Sequence, residues 1–232
     1  MQIHGLQKLT LLDYPGHTAA TVFTGGCNFR CPYCHNSELV LCPEKVPMIS
    51  EDEIFKFLRL RAHVLEGVAI TGGEPTLQPD LPEFIGKIRA LGFKVKLDTN
   101  GQSPAVLERL LRTNQLDYVA MDIKNCKERY GETIGIPEFR TDAVEASVKL
   151  LMSSGIHYEF RTTVSKELHD TASMERIGQW IAGARHYYLQ PYRDSDQVMV
   201  KDRFHAPEAA ELVAWKEMLA KMIPLVDIRG ME

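Results

Sequence analysis

The chain has 232 residues, 44% of them hydrophobic and 25% charged, with a formal net charge of -4 at pH 7. That length suits one α/β domain of barrel size, and the composition supports a sizeable core rather than disorder. Interspersed acids and bases form no phosphate-binding face, so no nucleic-acid substrate is expected. MQIHGLQKLTLLDYPG lacks a leader pattern and no apolar run is long enough to span a bilayer, which predicts a cytoplasmic protein with no membrane attachment.

Apolar, β-branched runs predict strands over 18–24, 68–71, 93–98, 118–123, 158–164 and 186–190. Between the first two, Ser50-Glu51-Asp52-Glu53 is a capping-box pattern that opens a helix through IFKFLRLRAHVL. Asp80 and Pro82 open the next helix and Gly92 closes it. Ser103-Pro104, Thr141-Asp142 and Thr171 open three more, and a last helix over 207–222 precedes LVDIRG, a candidate short seventh strand. Residues 125–140 carry charge, glycine and proline, and read as a long mobile loop. Repeats of strand then helix predict a parallel sheet with right-handed crossovers, open or curled into a full or partial barrel, in one domain over 1–232.

Five cysteines is an odd number, and Cys27, Cys31 and Cys34 crowd the loop after the first strand as CxxxCxxC. A disulfide framework does not have that distribution, so metal ligation is the expectation, with Cys42 and Cys126 as incidental thiols. Three thiolates with no fourth at zinc-finger distance leave one iron of a cubane cluster open to a small molecule. A closed zinc knob that recruits His35 or Cys42 is the competing reading of the same spacing.

CxxxCxxC with Tyr33 before the last cysteine resembles the signature of the radical S-adenosylmethionine (SAM) superfamily. The resemblance implies a 4Fe-4S cluster on Cys27, Cys31 and Cys34, an open iron that chelates SAM, and Tyr33 against the adenine. Thr71-Gly72-Gly73-Glu74-Pro75 resembles the family's GGE motif, which holds the methionyl amino group. Adjacent glycines permit close backbone approach, and Glu74 suits an ammonium. Asp98 and Asn100, in DTNG, are implied contacts to the ribose and carboxylate of SAM. Lys124, in MDIK, matches a lysine that meets the SAM carboxylate in related activases, where aspartates matching Asp98 and Asp122 help hold a monovalent cation.

Arg161 lies on an otherwise apolar strand and needs an anionic partner or solvent, and the resemblance offers the carboxylate or ribose of SAM. Gln190, in YYLQPY, falls near the same ligand, at a place where these activases often carry histidine. All six motifs sit at the carboxyl ends of successive predicted strands, where barrel active sites are built. With the resemblance, this selects a partial (β/α)6 barrel.

The opening GLQKLTLLDYPGHTAATVFTGGCNFRCPYCHNSELV resembles the activating proteins of anaerobic ribonucleoside-triphosphate reductase. Asp13-Tyr14-Pro15-Gly16 departs from the DGPG of pyruvate formate-lyase activases, and Asp13 is either a residue that receives the substrate's glycine loop or a turn residue. The resemblance implies reduction by flavodoxin or ferredoxin, cleavage of SAM to methionine and a 5′-deoxyadenosyl radical, and removal of a Cα hydrogen from a glycyl-radical enzyme. The alternatives are an activase of another glycyl-radical enzyme, a small-molecule enzyme of the 7-carboxy-7-deazaguanine synthase type, and a non-catalytic iron–sulfur or zinc protein.

Overall fold

The computed structural model describes residues 1–230, so the last two positions of the expected 1–232 domain lie outside the described residues. Its strands are β1 (Ile3–Thr10), β2 (Ala19–Thr24), β3 (Gly67–Gly72), β4 (Lys94–Thr99), β5 (Tyr118–Asp122), β6 (His157–Val164), β7 (His186–Pro191) and β8 (Leu225–Ile228). They form one sheet in sequential order. β1 pairs antiparallel with β2, and every later pair is parallel. The helices are α1 (Ser37–Leu41), α2 (Glu51–Arg61), α3 (Leu81–Ala90), α4 (Pro104–Arg112), α5 (Tyr130–Thr133), α6 (Asp142–Ser153), α7 (Thr171–Trp180) and α8 (Ala209–Leu219).

The six predicted strands are β2 to β7, each within one residue at either end, and LVDIRG supplies β8. The six-strand expectation is therefore corrected to seven parallel strands and an antiparallel edge. β1 was not expected because its apolar residues do not alternate: its pairing with β2 shifts register between Ile3 and Gly5 and again between Gln7 and Thr10. Among the described residues β1 and β8 end the order and do not pair with each other, so the sheet is not closed.

β2 and β3 bury nearly every side chain, as parallel strands covered on both faces do. The covering helices present apolar stripes at helical spacing: Leu81, Phe84, Ile85 and Ile88 on α3, and Leu212, Trp215 and Leu219 on α8. Ser50 caps α2 by accepting from the Glu53 amide at 3.2 Å. Asp80 does not cap α3 and instead takes the Met1 ammonium. α7 begins at Thr171 as expected, and the residue before it, Asp170, is the N-cap and forms a reciprocal capping box with Ser173. Thr171 is freed to accept from Trp215 Nε1 at 3.1 Å, which fastens α8 to α7.

Residues 125–140 are not a free loop. Asn125 is fully buried and donates through Nδ2 to Thr133 Oγ1 and to the Leu168 carbonyl, both at 2.8 Å. The ring of Tyr130 stacks on Phe139 at 5.5 Å, and the Arg30 amide donates to the Ile134 carbonyl at 2.9 Å. That last bond ties the segment to the cysteine loop. No helix among the described residues is long and apolar enough to cross a membrane.

The concave face of the sheet is charged rather than apolar. Fully buried Glu159 is clamped by Arg229 through both carboxylate oxygens at 2.6 Å and accepts from the Tyr118 hydroxyl at 2.6 Å. The Arg229 guanidinium lies 3.7 Å from the Tyr188 ring centroid. Two residues further along β6, on the same face, stands Arg161, the floor of the site described next.

Candidate active site

The loop after β2 and the carboxyl ends of β3 to β6 enclose a cavity of about 190 Å³. Cys27, Cys31, Tyr33, Cys34, Gly72, Gly73, Glu74, Asp98, Asn100, Asp122, Lys124 and Arg161 all line it. Two residues singled out from the sequence do not. Gln190 pairs in register with Thr163, which does line the cavity, but Gln190 stays outside it. Asp13 lies beyond the end of β1, at the amino-terminal end of β2, and accepts from Thr21 Oγ1 at 2.5 Å. β2 separates it from the cysteine loop, so it is a turn and strand anchor away from the cavity mouth.

The cysteine loop is held from both sides. The Cys34 amide donates to the Cys31 carbonyl at 3.0 Å, while Met199 and Val200 donate to the carbonyls of Cys34 and Pro32 at 3.1 and 2.9 Å. His35 bonds the Arg193 carbonyl through Nε2 at 2.5 Å, and Cys42 lines a separate cavity with Lys45 and Val46. Cys42 is therefore not placed as a fourth ligand, while His35 lines the same cavity as the three thiols with its Nε2 taken up by the Arg193 carbonyl. Among the described residues no three His, Cys, Asp or Glu side chains converge on a single-ion centre.

The residues present fit a three-thiolate cluster. Cys31 is buried and Cys27 and Cys34 half-buried, close enough that a Cys34 thiolate disfavours ionisation of both Cys27 and Cys31. Burial pushes all three thiols up, Cys31 to about 12, and the Lys124 ammonium works in the opposite direction on each. The Tyr33 hydroxyl is buried on the cavity wall without a hydrogen-bond partner, an orphan that a polar ligand would satisfy.

The GGE turn is stitched to the cysteine loop through its backbone. The Gly73 amide donates to the Thr24 carbonyl and the Glu74 amide to the Gly26 carbonyl, each at 2.8 Å. Asn36 Nδ2 donates to the Gly72 carbonyl at 2.9 Å. Glu74 is 1% exposed, and its carboxylate accepts from the Thr76 amide and hydroxyl, the Thr99 hydroxyl and the Asn100 amide. Burial raises its pKa against those four bonds. Glu74 thus joins the GGE and DTNG turns, and Asn100 in turn donates to Asn28 Oδ1 at 2.8 Å. Asn28 and Asn36 were not foreseen, since an asparagine beside a cysteine loop carries no spacing signal.

Opposite the thiols lies a chain of charges. Arg161 donates to Asp122 Oδ1 at 3.0 Å and to Asp98 Oδ2 at 3.3 Å. Lys124 reaches Asp122 Oδ2 at 2.8 Å, and Lys96, itself 1% exposed, meets Asp98 Oδ1. Burial opposes ionisation of Asp122, but Arg161 and Lys124 outweigh it and hold the carboxyl at about 2. The acid and base of MDIK are therefore one ion pair on the cavity floor.

His169 fixes the backbone of Lys124 from behind: its Nδ1 accepts from the Ser165 amide at 3.2 Å, so Nε2 donates to the Lys124 carbonyl at 3.0 Å. Burial lowers its pKa from 6.5 to about 4. The unfolded chain then takes up the proton first, so stability is full above pH 6.5 and falls as pH drops towards 4, by up to about 3 kcal/mol. Urea midpoints at pH 7 and pH 4.5 should show a smaller loss for His169→Gln than for the wild type. Equal losses would refute this role.

Residues 21–171 match the radical SAM superfamily. A Methanocaldococcus jannaschii protein named as a glycyl-radical enzyme activating enzyme is 33% identical over 201 residues, which cover 84% of this chain and 81% of that protein. The pyruvate formate-lyase-activating enzyme of Clostridium pasteurianum is 31% identical over 128 residues, 53% of this chain and 52% of that enzyme, so the match spans about half of each. Among solved structures, Streptococcus suis SuiB shares the fold, with a TM-score of 0.70 over 90% of this chain and 48% of its own at 15% identity. The match spans the cysteine loop, the GGE turn and the charged strand ends, and the chain is an enzyme of the radical SAM superfamily, within its glycyl-radical enzyme activating enzymes.

Proposed function

We propose that this enzyme generates a glycyl radical on an anaerobic ribonucleoside-triphosphate reductase, with flavodoxin or ferredoxin as reductant. The observation that carries the reading is the single cavity in which three thiols face a cationic floor at the carboxyl ends of β2 to β6. The reductase is favoured by Asp13-Tyr14-Pro15-Gly16 in place of DGPG and by the lack of cysteines for a second cluster.

Cys27, Cys31 and Cys34 would hold the 4Fe-4S cluster, which with SAM supplies a 5′-deoxyadenosyl radical through reductive cleavage of the sulfonium. Lys124 and Arg161 present positive charge to the SAM carboxylate. Glu74 Oε2, with the Asn100 amide as its one partner, keeps capacity for the methionyl ammonium. Asn100 would border the ribose and Tyr33 the adenine. The buried walls exclude water, and the cavity mouth receives a polypeptide loop. Hydrogen-atom removal needs no acid and base poised for proton transfer, which suits a floor whose carboxylates are all ion-paired.

The test is to mix the reduced, cluster-loaded protein and SAM with a panel of glycyl-radical enzymes and record electron paramagnetic resonance spectra. A glycyl doublet is expected on the reductase. A doublet on another partner alone would overturn the choice of reductase. SAM cleavage stimulated by a pterin-like compound and by no protein would favour the 7-carboxy-7-deazaguanine synthase type.

A further inference from the structure

We propose that the SAM site of this chain takes no inorganic monovalent cation, because Lys96 and Arg161 already stand where one would sit against Asp98 and Asp122. The resemblance that assigns those aspartates to a cation does not fit the residues around them. Each of the four carboxylate oxygens already has a cationic donor: Lys96 on Asp98 Oδ1, Arg161 on Asp98 Oδ2 and Asp122 Oδ1, and Lys124 on Asp122 Oδ2.

Sodium or potassium needs several oxygen ligands, and at each of these four oxygens the ion would stand beside a cationic donor already in place, where like charges repel. The charge balance points the same way. Within this ion-pair network three protein cations face two carboxylates, leaving one positive charge, while Glu74 in the same cavity is bonded only to Thr76, Thr99 and Asn100. A further cation would raise that to two in a setting where the Lys96 side chain is 2% exposed and the Arg161 side chain 13%. One carboxylate, such as that of SAM, neutralises the excess instead. The guanidinium also bridges both aspartates through a rigid fork, which a spherical ion would have to displace.

Lys96 is the part that belongs to this chain's own sequence. It stands two residues before Asp98 on β4 and so shares its face. It acts as a positioning residue: it holds one oxygen of Asp98 so that the other meets Arg161. The inference rests on the SAM site alone and not on which partner is activated, so a failure to radicalise the reductase would leave it standing.

SAM affinity of the cluster-loaded protein can be measured by equilibrium dialysis with potassium, sodium or tetramethylammonium as sole monovalent cation at fixed ionic strength. The wild type should bind equally in all three, within about twofold, whereas Lys96→Met should lose about tenfold in tetramethylammonium and regain it with potassium or sodium. Lys96→Arg should behave as wild type. On cluster-free protein, sodium-23 relaxation should show no saturable site. A wild-type affinity that drops about tenfold in tetramethylammonium, or saturable sodium binding lost in Asp98→Asn, would overturn the proposal. A cation-independent Lys96→Met would overturn the assignment to Lys96, and should that variant not fold, the wild-type measurements decide.

Discussion

Alanine at Cys27, Cys31 or Cys34 is expected to abolish SAM cleavage, whereas Cys42→Ala and Cys126→Ala leave it intact. The three thiols line one cavity that neither Cys42 nor Cys126 lines, and His35 beside them is tied through Nε2 to the Arg193 carbonyl. A cluster left with two protein ligands loses the arrangement that keeps a single iron open. Cys42 belongs to a separate surface cavity. Cys126 is 1% exposed and caps a helical turn through its backbone, so its alanine variant costs about 1 kcal/mol of stability and no chemistry. Iron and sulfide content after anaerobic reconstitution, together with 5′-deoxyadenosine formation, separate the two groups. Cleavage that survives any of the first three substitutions, or fails in Cys42→Ala, would contradict the ligand assignment.

Gly73→Ala is expected to damage the site through the backbone. A Cβ at this position would stand 2.0 Å from the Gly26 carbonyl oxygen and 2.6 Å from its carbon. Those are backbone atoms of the cysteine loop, so no side chain can swing aside. Gly72 is constrained similarly, with φ at +119° and Thr24 backbone atoms at 2.3 and 2.4 Å from its notional Cβ. Relief in Gly73→Ala requires the GGE turn to part from Gly26, breaking the bond from the Glu74 amide. The expected cost is about 1–3 kcal/mol of stability, with reduced iron retention and weaker SAM binding. Thermal denaturation and iron content measure it, and a variant equal to wild type in both would show that the two loops do not meet as described.

This second case shows where sequence reasoning stops. Adjacent glycines were legible as a demand for close approach, and the backbone they approach is that of Thr24 and Gly26. The parallel strands were legible because β2 and β3 are apolar almost throughout, and the thiol centre because its spacing is short-range. Lys96 was not. In KVKLD a lysine alternating with apolar residues reads as a solvent-facing position, yet the concave face of this partial barrel is charged and buried. The same inversion hid the Glu159–Arg229 clamp.

Asp13 misled in a different way. It is close to the cysteines in sequence, but its carboxylate meets Thr21, and the rest of β2 puts roughly 10 Å of extended chain between that contact and the cysteine loop. Residues 125–140 failed on composition: their glycines, proline and charges accompany Asn125, Tyr130, Thr133 and Ile134, all fully buried. Only tertiary packing distinguishes such a segment from a mobile loop.

The most direct measurement follows one deuterium. The reductase is prepared with deuterated glycine, incubated with the reduced, cluster-loaded enzyme and SAM, and the resulting 5′-deoxyadenosine is analysed by mass spectrometry. One deuterium per molecule formed is expected, in parallel with the glycyl signal. Deuterium-free 5′-deoxyadenosine alongside a glycyl radical, or SAM cleavage unaffected by the reductase, would contradict direct activation of that partner.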